Sequence, residues 1–149
     1  RIIIMKIHVA TDHAGLDLKN IIRDHLKEIG HDVKDHGAYE YDALDDYPDF
    51  IFPCAKAIAS DPKSKGIILG GSGQGEAMAA NRIKGCRAAV FYNGPIDIIK
   101  LSREHNDANI LSIGARFMSN DEILSVIDIW LDEPFAGGRH RRRLDKLDQ

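Results

Sequence analysis

Residues 66–85 read GIILGGSGQGEAMAANRIKG. An apolar run of strand length breaks into glycine at positions 70, 71, 73 and 75, and an Ala-rich stretch then opens with Glu76. A buried strand, a glycine turn and a helix start in succession form the junction around which open α/β sheets bind their ligands. Glycines let successive backbone N–H groups converge on an anion, and the positive end of the following helix adds to the attraction. A phosphate cradle of this kind normally ends in lysine, yet an acid follows Gly75 here.

Outward from this junction the chain alternates short β-branched runs with amphipathic stretches. Strands are predicted at Lys6–Ala10, His31–Asp35, Gly66–Gly70, Arg87–Phe91 and Asn109–Ile113, with helices near 15–29, 48–60, 75–83, 95–104 and 120–132. In LDLKNIIRDHLKEIG, residues Leu18, Ile21, Ile22, Leu26 and Ile29 fall at helical spacing and Gly30 stops the helix. SNDEILSVIDIWLDEP begins with a capping serine and two acids, and Pro134 follows its end. Such alternation implies parallel strands joined by right-handed crossovers with helices on both faces. The expected fold is α/β: a single Rossmann-like α/β/α sandwich with a five-stranded parallel sheet. Its ligand crevice should gather three turns, TDHAG at 11–15, GGSGQGE at 70–76 and GARF at 114–117.

A chain of 149 residues fits one domain with a sizeable core. Met5 opens the first coherent strand, so residues 5–149 are expected to form that domain and residues 1–4 to be a vector-derived remnant. The net charge of −3 exerts no global pull on nucleic acid or anionic membrane, and no apolar stretch reaches the ~18–20 residues that span a bilayer. Two distant cysteines, Cys54 and Cys86, make no disulfide framework, which points to reduced thiols in the cytoplasm.

The glycine loop excludes two common readings. A P-loop needs Gly-Lys-Ser/Thr where Gly75-Glu76 stands, and Gly71-x-Gly73-x-Gly75 lacks the spacing of a dinucleotide fingerprint, with no acid ending the next strand. An anion nest can instead hold an oxyanion that develops during reaction. A carboxylate beside an oxyanion is the pairing that removes a proton from carbon next to a carbonyl. Glu76 therefore has two readings: a general base, or an ordinary first-turn acid favoured by the helix dipole.

Other polar groups stand apart in sequence. REHNDAN at 103–109 offers His105 and Asn106 before a strand, either as functional groups or as a solvated turn. GGRHRRRLDKLD at 137–148 is a basic cluster in an acidic protein. If it is helical, Arg139 and Arg143 share a face and suit a terminal phosphate, whereas the lack of interleaved aromatics speaks against nucleic acid. Asp12 and His13 end the first strand, where an aspartate commonly caps the next helix. Seven histidines occur without zinc-site spacing, so no metal is expected.

Taken together, ATDHAG, GGSGQGEAMAANRIKG, REHNDANILSIGAR and GGRHRRR resemble the type B ribose-5-phosphate isomerases and their galactose-6-phosphate isomerase relatives, in order and spacing from Met5 almost to the end. The resemblance implies a cofactor-free aldose–ketose isomerase working through an enediolate, with Glu76 as the base that shuttles a proton between carbons 1 and 2. It implies an oxyanion nest from Ser72 and the amides of Gly71, Gly73, Gln74 and Gly75. It makes His105 the acid that opens the sugar ring, Asp12 the partner of a sugar hydroxyl and Asn106 a substrate ligand. Arg139 and Arg143 become the phosphate clamp, supported by His13 and Arg116. It also implies a homodimer or tetramer whose sites combine two subunits, with segment 105–116 serving the neighbour's glycine loop. Many relatives carry a cysteine base where Gly70 stands, so the chain resembles the subgroup that uses glutamate. A six-carbon sugar phosphate, or a noncatalytic sugar-phosphate-binding module, are the alternatives.

Overall fold

Five parallel strands, β1 (Lys6–Thr11), β2 (Asp32–Asp35), β3 (Lys65–Gly70), β4 (Ala88–Phe91) and β5 (Ile110–Gly114), form one sheet in the order β2-β1-β3-β5-β4. The structure is a computed structural model that describes residues 3–149; of the expected remnant at 1–4, Arg1 and Ile2 lie outside the described residues. Among the described residues six α-helices accompany the strands: α1 (Leu16–Ile29), α2 (Pro48–Ala59), α3 (Gln74–Ala80), α4 (Ile96–Glu104), α5 (Asn120–Asp132) and α6 (Arg139–Leu144). Each expected strand and helix is present, α3 being shorter than the 75–83 stretch because residues 81–85 form turns.

Side-chain alternation divides the core in two, since odd and even strand positions face opposite sides of the sheet. Ile7, Val9, Ile67, Leu69, Leu111 and Ile113 pack under α1, α4 and α5, while Ala10, Ile68 and Ile110 pack under α2 and α3. This is the three-layer arrangement expected from the sequence. Helix ends follow their local chemistry. Gly30 takes the left-handed conformation (φ 114°) and donates its N–H to Leu26 and Lys27 carbonyls, closing α1. Ser119 and Glu122 cap α5 reciprocally.

One detail of the apolar pattern needs correction. Leu18, Ile22 and Leu26 are buried and Ile29 half-buried, but Ile21 is 40% exposed. At about 100° per residue, Ile21 falls roughly 100° from the centre of the stripe formed by the other four.

Two features of the fold position the ligand crevice. After β1 the chain leaves to β2 on one side, then crosses back to β3 on the other, so the crevice opens beyond the carboxyl ends of β1 and β3. Lys19, fully buried on α1, donates to both Asp35 carboxylate oxygens at 2.7 and 2.8 Å and to the Ala38 carbonyl at 2.7 Å. That cation pins the start of the long segment 36–47, which folds back over the crevice.

The same segment meets β1 through a histidine pair. His8 is buried and its Nδ1 lies 2.8 Å from His36 Nε2. Burial, then the neighbouring charges of His36 and Lys6, lowers the His8 pKa to about 4. The unfolded chain therefore takes up the proton first as pH falls, and stability is lost between pH ~6.5 and ~4. Urea titrations across this window are expected to show a slope near 1.4 kcal/mol per pH unit from this group, which His8→Leu removes. A variant with the wild-type slope would place the acid sensitivity elsewhere.

Candidate active site

The glycine loop owes its shape to residues with no room to spare. Gly73 is the left-handed N-cap of α3 (φ 78°), and its carbonyl accepts a 2.7 Å hydrogen bond from the buried Ser112 hydroxyl. Ser72 Oγ accepts from the Gln74 amide at 3.3 Å, so the hydroxyl stays at the mouth of the turn. Tyr47 presses its hydroxyl end against the loop: a Cβ on Gly75 would meet its Cζ and hydroxyl at 2.7 Å.

Glu76 turns back from the first turn of α3, and its carboxylate fills the space directly above Gly70, where any Cβ would collide with it. Only 6% of the residue is exposed. Burial raises its pKa, and the negative charge of Asp12 acts in the same direction. A carboxylate held this way is a stronger base than one in water.

The other two turns close on the loop as expected. Thr11 Oγ1 donates to the Leu69 carbonyl at 3.0 Å, joining the ends of β1 and β3. Asp12 caps the 3-10 turn His13–Gly15 by accepting from the Ala14 amide at 2.9 Å. His13 Nδ1 sits 2.6 Å from Asp45 Oδ1, and that hydrogen bond raises the imidazole's pKa. From the end of β5, Arg116 donates its amide to the Gly71 carbonyl at 3.1 Å and lays its guanidinium over Gly71. Asp12, His13 and Asp45 bring one donor atom each to within 4.8 Å of one another, the grouping best placed to face a cation. His13 Nδ1 is, however, already engaged by Asp45.

His105, Asn106, Arg139 and Arg143 are elsewhere. His105 caps the end of α4, before β5 begins, while Gly70 pairs with the last residue of β5. The ladder from Gly66–Ile110 to Gly70–Gly114 separates the two ends by about 13 Å, at ~3.3 Å per residue. His105 stacks on His140 of α6 with ring centres 4.3 Å apart. Arg139 and Arg143 are exposed on the same helix and, among the described residues, make no ion pair. Asn106 borders a 410 Å³ cleft lined also by Arg87, Ser102 and Leu144. The expectation that 105–116 acts as one unit toward a neighbour therefore needs correction. Its first residues lie at the amino end of the sheet, but Arg116 lies at the carboxyl end against its own chain's loop, because β5 runs between them.

The chain has close counterparts in sequence and fold. A family model described as Ribose/Galactose Isomerase matches residues 7–147. The chain belongs to the ribose/galactose isomerase family. Within that family, ribose-5-phosphate isomerase B of Mycobacterium tuberculosis is 43% identical over 144 residues, spanning 96% of this chain and 88% of the relative. The crystal structure of ribose-5-phosphate isomerase B from Mycoplasma genitalium with bound ribulose-5-phosphate superposes with a TM-score of 0.91 at 42% identity, covering 95% of this chain and 93% of that one. The Clostridium thermocellum ribose-5-phosphate isomerase B gives a TM-score of 0.90 at 43% identity, covering 97% and 95%.

Two residues at this isomerase's crevice escape a reading of the sequence. Asp45 and Tyr47 sit in YDALDDYPDF, where acids are frequent and no spacing marks one as special. Only the return of segment 36–47 over the crevice brings Asp45 to His13 and Tyr47 to Gly75.

Proposed function

We propose that the protein interconverts ribose 5-phosphate and ribulose 5-phosphate through an enediolate, as a step of the pentose phosphate pathway. The observation that carries this reading is Glu76: a buried carboxylate of raised basicity at the rim of a glycine nest. Binding alone needs no such base, which disfavours a noncatalytic module. Glu76 takes the proton from carbon 2 and returns it to carbon 1. Ser72 and the amides of Gly71, Gly73, Gln74 and Gly75 hold the oxygen that becomes negative. Asp12 holds a sugar hydroxyl, and His13, oriented by Asp45, supports the far end of the substrate together with Arg116.

The acid and the phosphate clamp come from a second subunit. An extended five-carbon phosphate reaches roughly 8 Å, at about 1.3 Å per bond, shorter than the sheet that separates His105 from Glu76 in one chain. A homodimer, alone or within a tetramer, brings His105, Asn106, Arg139 and Arg143 of one copy to the loop of the other. An exposed apolar face beside the loop supports this association: Tyr92 and Phe117 meet edge to face at 5.9 Å and Met78 is 63% exposed. Cytoplasmic residence agrees with two buried free thiols, Cys54 and Cys86.

A coupled assay without added metal tests the activity. Ribose 5-phosphate should turn over faster than galactose or allose 6-phosphate, and the reverse order would move the assignment to a six-carbon isomerase. Arg139→Ala and Arg143→Ala should chiefly raise KM, because contacts to a remote phosphate contribute mainly binding. Unchanged affinity of the double variant for a phosphorylated enediolate mimic would remove the clamp.

A further inference from the structure

We propose that Asp107 is a positioning residue that sets the aim of Arg139 and Arg143 by anchoring Arg141, the half-exposed arginine of α6 that reaches it. The inference rests on the reading of Arg139 and Arg143 as a phosphate clamp. Helix α6 has six residues, RHRRRL, and only Leu144 is buried. A helix this short is unstable alone, and like charges at i and i+4 oppose it further. Some fixed group must hold it.

Asp107 is built to do so. One carboxylate oxygen accepts Arg103 Nη1 at 2.8 Å, and the other accepts Arg141 Nη2 at 3.2 Å and forms an ion pair with Arg87 Nη2 at 3.5 Å. Arg103 is itself well anchored: it is buried, donates to the carbonyls of Ala108 and Glu133, and lies 5.9 Å from the Trp130 ring centre. Arg87 Nε also donates to the Asp107 carbonyl at 2.8 Å. The backbone of Asp107 is left-handed (φ 44°), a conformation that Asp and Asn tolerate. Arg141 is further braced by the Phe135 ring at 4.8 Å.

Helix geometry turns this anchor into an aim. At about 100° per residue, Arg139 and Arg143 lie ~40° apart and Arg141 lies ~180° from their midpoint. Holding Arg141 against Asp107 directs the other two away from the protein body. Asp107 also follows His105 and Asn106 directly, so one carboxylate ties the clamp to the turn that bears the acid.

Arg141→Gln, Asp107→Asn and Arg139→Ala/Arg143→Ala are compared for KM, kcat and melting temperature on ribose 5-phosphate. Arg141→Gln leaves the pair of buried Arg103 and half-buried Asp107 intact and guards against loss of folding in Asp107→Asn. Arg141→Gln should raise KM roughly tenfold with kcat within about threefold and little change in melting temperature, as for loss of one charge-assisted contact. Adding Asp107→Asn to Arg141→Gln should raise KM little more, since the two act as one unit. A raised KM in the Arg139/Arg143 variant with wild-type KM in Arg141→Gln overturns the positioning role and leaves the clamp standing. Wild-type KM in all variants overturns the clamp and, with it, this inference.

Discussion

Glu76→Gln is expected to lower turnover by at least ~10²-fold, the usual contribution of a general base, while phosphate-analogue binding changes little. Gln keeps the length and planarity of the side chain but cannot accept the proton. Exchange of the carbon-2 hydrogen with solvent deuterium should fall by the same factor, because exchange needs the same abstraction. The pH profile offers an independent check. The base works only when ionised, so activity is lost as pH falls through the Glu76 pKa. Burial raises that pKa, so the acid limb of kcat/KM should lie above the ordinary carboxylate value of ~4.3. Near-normal turnover and exchange in Glu76→Gln would falsify the assignment and return Glu76 to the role of a helix-dipole acid.

The second large effect is a recovery. Glu76→Gln and His105→Ala homodimers should each be nearly inactive on ribose 5-phosphate. After equal mixing and subunit exchange, about half the dimers are mixed, and each mixed dimer holds one site with both groups intact. Activity should rise to roughly a quarter of the wild-type value. No recovery despite exchange shown by mass spectrometry would mean that each site is completed within one chain. That outcome would contradict the placement of His105 and Gly70 at opposite ends of the β3–β5 ladder.

Much of this was legible in the sequence because local chemistry and fold agree. The run GIILG is a strand for its β-branched residues, and Gly30 and Ser119 mark helix ends by conformations that each residue favours. The three turns that converge could be named because strand–helix alternation fixes which ends of a parallel sheet gather. The insertion of β5 between β3 and β4 was not legible, since no local preference records which edge a crossover chooses. Ile21 misled because apolar character alone does not say which stripe of a helix faces inward. Asp45 acquires its importance from a neighbour 32 residues away, a contact that depends on how segment 36–47 returns. Arg139, Arg141, Arg142 and Arg143 look equivalent as letters, and only the Asp107 carboxylate distinguishes one from the rest.

The carboxylate of Glu76 occupies the volume that a side chain at position 70 would need. With Glu76 as the base, a cysteine introduced at position 70 would compete with the Glu76 carboxylate for one space. Gly70→Cys alone displaces the existing base, and loss of Glu76 alone leaves none. Glu76→Gln/Gly70→Cys is likewise no rescue, because the amide fills the same volume; Glu76→Ala/Gly70→Cys clears it. Positions 70 and 76 are thus coupled through one shared volume, and the effects of substituting them should not add.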